Sequence, residues 1–223
     1  MIDTILFDAL GTLVELQDPA PLLVGELNAR GVKITEAQAR TAVAAEISYY
    51  RQHILEGGTA EGLADLRERC TAVLAVELPP HARIAGLQKA MLAAIRFKPY
   101  PEVVGTLGVL RARGHKLVVV SNWDISLYDV LDETGISKMI DGVVVSAQRG
   151  LAKPNSLLFG AGLAQVRGKA DRALHVGDDL EADVRGAIGA GIQPVWLDRS
   201  NEGVRPDGVP RISDLRGLLE LAP

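Results

Sequence analysis

Cysteine is nearly absent. Of 223 residues only Cys70 carries a thiol, so no disulfide can form within the chain and a reducing compartment is expected. A lone thiol of this kind reads as a buried structural residue rather than a solvated nucleophile. Positive charge is also scarce: Lys and Arg number 24 against 28 Asp and Glu, a formal net charge of −4. No Lys/Arg cluster suggests a basic groove, which removes nucleic acid as an expected partner. Long apolar runs are missing too, since none approaches the ~20 residues that span a bilayer. The run after Asp3 is short and preceded by an acid, unlike a signal peptide, so no membrane partner and a cytoplasmic location are expected. Repeats and low-complexity tracts are lacking. His53, His81 and His115 show no metal-ligand spacing, and His175, inside an apolar segment, reads as a hydrogen-bonded core residue.

What is present is ordinary for a globular protein, with 48% hydrophobic and 23% charged residues. The length suits one large domain or a domain with a sizeable insert. Short Val/Ile-rich runs occur at Thr4–Phe7, Leu117–Val120, Gly142–Val145, Ala173–Val176 and Pro194–Leu197. They show little alternation, as strands buried on both faces of a parallel sheet do. Helical stripes lie between them, among them Val103, Leu107, Leu110 and Leu180, Val184, Ile188. Alternating strands and helices predict a doubly wound, Rossmann-like α/β core.

The stretch from about Pro21 to Phe97 differs. Thr35-Glu36-Ala37-Gln38 forms a capping box, followed by a stripe of Ala39, Val43, Ile47, Tyr50 and Ile54. Leu63, Leu66, Cys70 and Val73 form a second stripe, and Leu87, Met91 and Ile95 a third, with Gly57-Gly58 and Pro79-Pro80 between them. No strand signal interrupts these residues. The expected organisation is therefore an α/β core of residues 1–16 and 98–223 with an all-α insert over 17–97.

Open parallel sheets bind ligands beyond the carboxyl ends of their strands, which makes the residues ending each run the candidates for chemistry. The first run ends in Asp8-Ala9-Leu10-Gly11-Thr12 and the second in Ser121-Asn122-Trp123-Asp124. Lys153-Pro154 comes next, with Pro154 suited to the first turn of a helix. The fourth ends in Gly177-Asp178-Asp179 and continues to Asp183. Each alone has a bland reading as a cap, a turn former or a solvated charge. Together they place a carboxylate, a hydroxyl, an ammonium and an acidic cluster at successive strand ends. Carboxylates converging on a phosphoryl anion need a cation between them. Mg²⁺ accepts such hard oxygen ligands, while Ser121 and Lys153 could neutralise the transferring oxygens.

These residues resemble the haloacid dehalogenase superfamily over nearly the whole chain. Phe7-Asp8-Ala9-Leu10-Gly11-Thr12-Leu13 is similar to its first motif, Ser121 ends the second, Lys153 is the third, and Gly177-Asp178-Asp179 through Asp183 is the fourth. The helical insert is similar to the family's cap. The resemblance implies Asp8 as nucleophile and Lys153 as its catalytic partner. It implies Mg²⁺ held by Asp8, the Leu10 carbonyl and Asp178, with Asp179 and Asp183 supporting from behind. Gly11, Thr12, Ser121, Asn122, Trp123 and the insert residue Arg51 are the candidate contacts to a small phosphorylated substrate. Tyr50 is expected in the insert core, and Trp123 and Asp124 at the entrance between insert and core.

One position departs from the family pattern. Its phosphatases carry a second acid two residues after the nucleophile, where this chain has Leu10, which cannot move a proton. Loss of such help typically costs ~10²–10⁴ in rate. Three readings follow: a Mg²⁺-dependent phosphatase acting on good leaving groups, a metal-independent 2-haloacid dehalogenase, or a catalytically impaired binding or regulatory protein. Gly186-Ala187-Ile188-Gly189-Ala190-Gly191 is glycine-rich but lies too far past a strand end for a dinucleotide fingerprint; it is expected to serve helix packing and a C-terminal cap.

Overall fold

The computed structural model describes residues 2–203 and 206–223. Among the described residues eight strands are formed: β1 (Thr4–Phe7), β2 (Val14–Leu16), β3 (Phe97–Pro99), β4 (Lys116–Ser121), β5 (Gly142–Val145), β6 (Ala173–Gly177), β7 (Gln193–Leu197) and β8 (Arg211–Ile212). Six of them make one sheet in the order β5-β4-β1-β6-β7-β8, with every pairing parallel. The five apolar runs read from sequence are its five longer strands. Side chains of β1 point alternately to two layers. Ile5 and Phe7 pack with Val103, Leu107 and Leu110 on one face, while Leu6 meets Leu158, Phe159 and Leu163 on the other. Both faces are thus dry, which explains why the strands lack an alternating polar pattern.

Four helices lie between β2 and β3: α1 (Pro19–Asn28), α2 (Glu36–His53), α3 (Ala60–Glu77) and α4 (Leu87–Ala94). The capping box that starts α2 is formed, with Thr35 accepting from the Gln38 amide and Gln38 from that of Thr35. The helices share an apolar cluster of their own, including Leu23, Leu27, Leu66, Leu74 and Met91. The chain leaves and re-enters the sheet region through an antiparallel ribbon in which Val14 pairs with Pro99 and Leu16 with Phe97. Neither ribbon strand is legible in the sequence, because three residues are too few to display a period.

Further helices follow the sheet strands: α5 (Val103–Ala112), α6 (Leu127–Glu133), α7 (Ser146–Arg149), α8 (Ser156–Val166) and α9 (Gly186–Gly189). Several local expectations are corrected here. Pro154 precedes the Asn155 cap of α8 rather than entering the helix. Leu74, not Val73, is the buried residue closing the α3 stripe. Leu180 and Ile188 are exposed, with only Val184 of that stripe buried. The cause is a π-helical segment over Leu180–Arg185 ahead of α9, whose wider turn breaks the 3.6-residue register. The glycines behind it act as read from sequence. A Cβ on Gly186 would lie 2.7 Å from Phe159 Cζ, and Gly191 takes a left-handed φ of +70°.

Candidate active site

The site lies beyond the carboxyl ends of β1, β4 and β6. Asp8 directly follows β1 and is 7% exposed. Its Oδ1 accepts from Lys153 Nζ at 2.5 Å and from Ser121 Oγ at 3.0 Å, so both donors converge on one oxygen of the carboxylate. Lys153, 5% exposed, also donates to Asp183 Oδ1 at 2.6 Å, and Asp183 is 1% exposed. A buried ammonium therefore bridges two buried carboxylates. Such a cluster persists only because each charge is compensated.

Burial lowers the Lys153 ammonium's affinity for its proton, but Asp183 and Asp8 outweigh it and hold the group above its ordinary range. Burial lifts the Asp8 carboxyl above the usual carboxylate range, against the pull of Lys153. Burial acts the same way on Asp183, yet Lys153 and His175 hold it well below that range. Asp178 has no cationic hydrogen-bond partner among the described residues and goes the other way. Burial of its carboxyl, then Asp8 and Asp183, push it up to about 7. Oxygens of Asp8, Asp178 and Asp183 lie within 4.8 Å of one another, and hard carboxylate oxygens so placed could hold a divalent cation.

Room for this cluster comes from Gly11, at φ +82°, where a Cβ would fall 2.2 Å from Asp178 Oδ2. The loop that follows Asp8 is tied down by Arg199, which donates to the Gly11 and Thr12 carbonyls at 2.9 and 2.7 Å. The same guanidinium pairs with Glu102 at 2.8 Å and stacks 3.4 Å above the Tyr100 ring centre. Asp178 is anchored by Trp196, whose indole N–H donates to its carbonyl at 3.0 Å.

Other candidates make contacts that the sequence did not specify. The Asn122 amide is spent on the Lys153 backbone, accepting from its N–H at 2.7 Å and donating to its carbonyl at 3.1 Å; it positions the lysine. Asp179 caps the next turn by accepting from Glu181 and Ala182 N–H, and its own N–H donates to Asp183 at 3.1 Å. Its carboxylate therefore does not support the cluster. Thr12 is fully buried, with an Oγ1 that has no hydrogen-bond partner among the described residues. Tyr50 is half-buried and packs on the insert cluster as expected, while its hydroxyl donates across to Asp124 of the core at 2.8 Å, so it also joins insert to core. Trp123 and Asp124 are buried, at 5% and 2% exposure, and line the space between insert and core. The Trp123 N–H donates to Ser146 Oγ and its ring packs on Phe97. Arg51 is exposed but borders the space between insert and core. Cys70 is buried, with its thiol pushed up to about 12 by burial and by Glu46.

His175, read from the sequence as a hydrogen-bonded core residue, is one: it is 1% exposed and bonds Asp183 through Nε2 at 2.9 Å, and burial holds its pKa below the ordinary range. Arg199 was missed, and no local signal points to it, since it lies 188 residues from the carbonyl it holds.

The family model for haloacid dehalogenase-like hydrolases matches residues 2–191. A glyceraldehyde 3-phosphate phosphatase of Methanopyrus kandleri is 37% identical over 118 residues, covering 52% of this chain and 49% of that protein. The chain spans about half the length of the first curated relatives it matches. Among solved structures, a magnesium-bound putative HAD-hydrolase of Bacillus subtilis superposes with a TM-score of 0.71 at 20% identity, covering 99% of this chain and 98% of that one. The L-2-haloacid dehalogenase of Xanthobacter autotrophicus gives 0.71 at 19%, with the same coverage. Identities this low speak for the shared fold alone. With most of its length matched by the family model, the chain belongs to the haloacid dehalogenase-like hydrolases.

Proposed function

We propose that the protein is a Mg²⁺-dependent phosphatase acting on a small phosphorylated metabolite with a good leaving group. The observation that carries this reading is the buried Asp8–Lys153–Asp183 bridge with Asp178 beside it. It combines a carboxylate nucleophile, a fixed cation for phosphoryl oxygens and an acidic cluster suited to a metal. Asp8, Asp178 and the Leu10 carbonyl would hold Mg²⁺, which would screen the carboxylates and polarise the phosphorus centre. The Gly11 notch, which only a residue without Cβ leaves open, suits that donor set.

A carboxylate oxygen of Asp8 attacks phosphorus, and the bond to the leaving oxygen breaks with its electron pair. Lys153 and Ser121 orient Asp8 and offset charge on the transferring oxygens. Water then attacks phosphorus and the Asp8–phosphorus bond breaks; the water oxygen stays on the phosphate, one of its protons passes to a phosphate oxygen or to solvent, and Asp8 leaves as a free carboxylate. A leaving group stable as an anion needs no proton, which accommodates Leu10. The relative from Methanopyrus kandleri named above is called a phosphatase, which supports the reaction class. The helical insert would act as a cap over the site, with the reaction in the cytoplasm.

Leu10 favours a second reading, hydrolysis of a 2-haloacid by direct displacement of halide. Asp178 weighs against it, because an uncompensated acid beside Asp8 repels a carboxylate substrate. Phosphate release from acetyl phosphate and p-nitrophenyl phosphate, with and without Mg²⁺, separates the two. Metal-dependent turnover that Asp8→Asn abolishes is expected; halide release from 2-chloropropionate in the presence of a chelator would overturn the phosphatase reading.

A further inference from the structure

A cavity of about 350 Å³ lies between the helical insert and the core, within the roughly 300–1,000 Å³ typical of small-molecule sites. Val43 and Ile47 of α2, Leu66 of α3 and Met91 of α4 wall one side, and Leu10 and Trp123 the other. Its charged lining residues Arg51, Arg67, Asp129 and Glu133 are exposed or half-exposed and so belong to the mouth. The polar groups inside are themselves buried. Glu46 is 4% exposed and Cys70 2%; burial raises the Glu46 carboxyl above its usual range and pushes the Cys70 thiol up to about 12. Asp124 is satisfied by the Tyr50 hydroxyl and the Ser126 N–H. Leu10, two residues after Asp8, and Asn122, which follows Ser121, both line the cavity, so an apolar space adjoins the Asp8 site.

We infer that the substrate's leaving group is apolar, an aliphatic or aromatic acyl group seated against Leu10, Val43, Ile47 and Leu66; this rests on the phosphatase reading above. A polyhydroxylated leaving group would lose its water here and find few partners, at a cost for every unmet hydroxyl. An acyl chain loses nothing by leaving water and gains with each methylene buried.

Linear acyl phosphates from acetyl to hexanoyl isolate this effect, because lengthening the chain scarcely alters the stability of the leaving carboxylate. With Asp8→Asn as blank, kcat/KM for Mg²⁺-dependent phosphate release is expected to rise about fourfold per methylene until the cavity fills. Ile47→Asn should pull the hexanoyl-to-acetyl ratio of kcat/KM towards one, and Val43→Asn provides the same test should the first variant not fold. A flat series in wild type, with acetyl phosphate still turned over through Asp8, overturns the inference and leaves the phosphatase reading standing. A rising series whose ratio neither variant lowers also overturns it, since the chain then binds elsewhere. Absence of Asp8-dependent release from every member overturns the phosphatase reading itself.

Discussion

Lys153 owes its state to two carboxylates, and each of them owes its own to Lys153. Asp178 stands outside that exchange and is the residue most sensitive to a missing cation. Its carboxyl is lifted from 3.8 to about 7, first by burial and then by Asp8 and Asp183. A group raised on folding contributes stability that is complete below its unfolded pKa and lost as pH climbs through the folded one. Metal-free protein should therefore weaken between about pH 4 and pH 7, by roughly 1–2 kcal/mol once the solvent around this exposed residue is discounted. Asp178→Asn should reduce that dependence, leaving the part that the raised Asp8 carboxyl contributes. Millimolar Mg²⁺ should stabilise wild type above pH 7 but not the variant. Urea unfolding at pH 5 and pH 8, with and without Mg²⁺, checks both statements, and parallel behaviour of the two proteins would discard them.

At the scale of elements, the loop from Asp8 to Leu13 is the piece that must not move, because it carries the proposed nucleophile at one end and a cavity wall in its middle. Backbone turns hold it internally, with Leu13 and Val14 N–H both donating to the Ala9 carbonyl. Arg199 holds it from outside through two carbonyls, with Tyr100 and Glu102 fixing the guanidinium. Arg199→Met keeps much of the stem and removes the fork, so a loss of about 1–3 kcal/mol in stability is expected. If the clamp also orients Asp8, kcat should fall by about tenfold or more while KM moves little, as a misplaced reacting group does. Arg199→Lys should not restore kcat, since an ammonium cannot span both carbonyls and stack on the ring. Steady-state kinetics at a temperature where both variants are folded reads this, and a variant with only lowered stability would reduce Arg199 to a structural tie.

For the whole molecule, the decisive contact is between insert and core. Besides the Tyr50–Asp124 bond, the turn at Ile54–Gly58 docks on the core, with the Gly57 carbonyl accepting from Ile125 N–H at 3.1 Å. Gly58 allows the closest approach: a Cβ there would lie 2.3 Å from the Ala147 carbonyl oxygen. Backbone on both sides cannot yield cheaply, so Gly58→Ala should shift the insert and open the cavity. A stability cost of about 1–3 kcal/mol is expected, as for overpacking generally. KM should rise more than kcat falls, because the cavity loses its fit while the bridge at Lys153 stays intact. A melting curve together with kinetics on a single acyl phosphate tests this; unchanged KM would mean that the docked position of the insert does not matter for binding.

The sequence by itself determined the sheet and the helical insert, because both are written in local periods: five apolar runs without alternation, and stripes at helical spacing behind a capping box. It also placed Asp8, Ser121 and Asp178 at strand ends, which a parallel sheet necessarily brings together; Lys153 does not end a strand as expected but lies beyond α7, on the stretch between it and α8. Side-chain partners were decided only by the tertiary structure. Asn122 turned to the Lys153 backbone, Asp179 capped its own turn, and Arg199 reached a loop far away in the chain. Strand position fixes where a Cα lies, but which hydrogen bond a polar side chain makes depends on the groups that folding buries around it. The apolar space behind Leu10 was equally out of reach of any local pattern, since half of its wall comes from the insert and half from the core, and neither half announces the other.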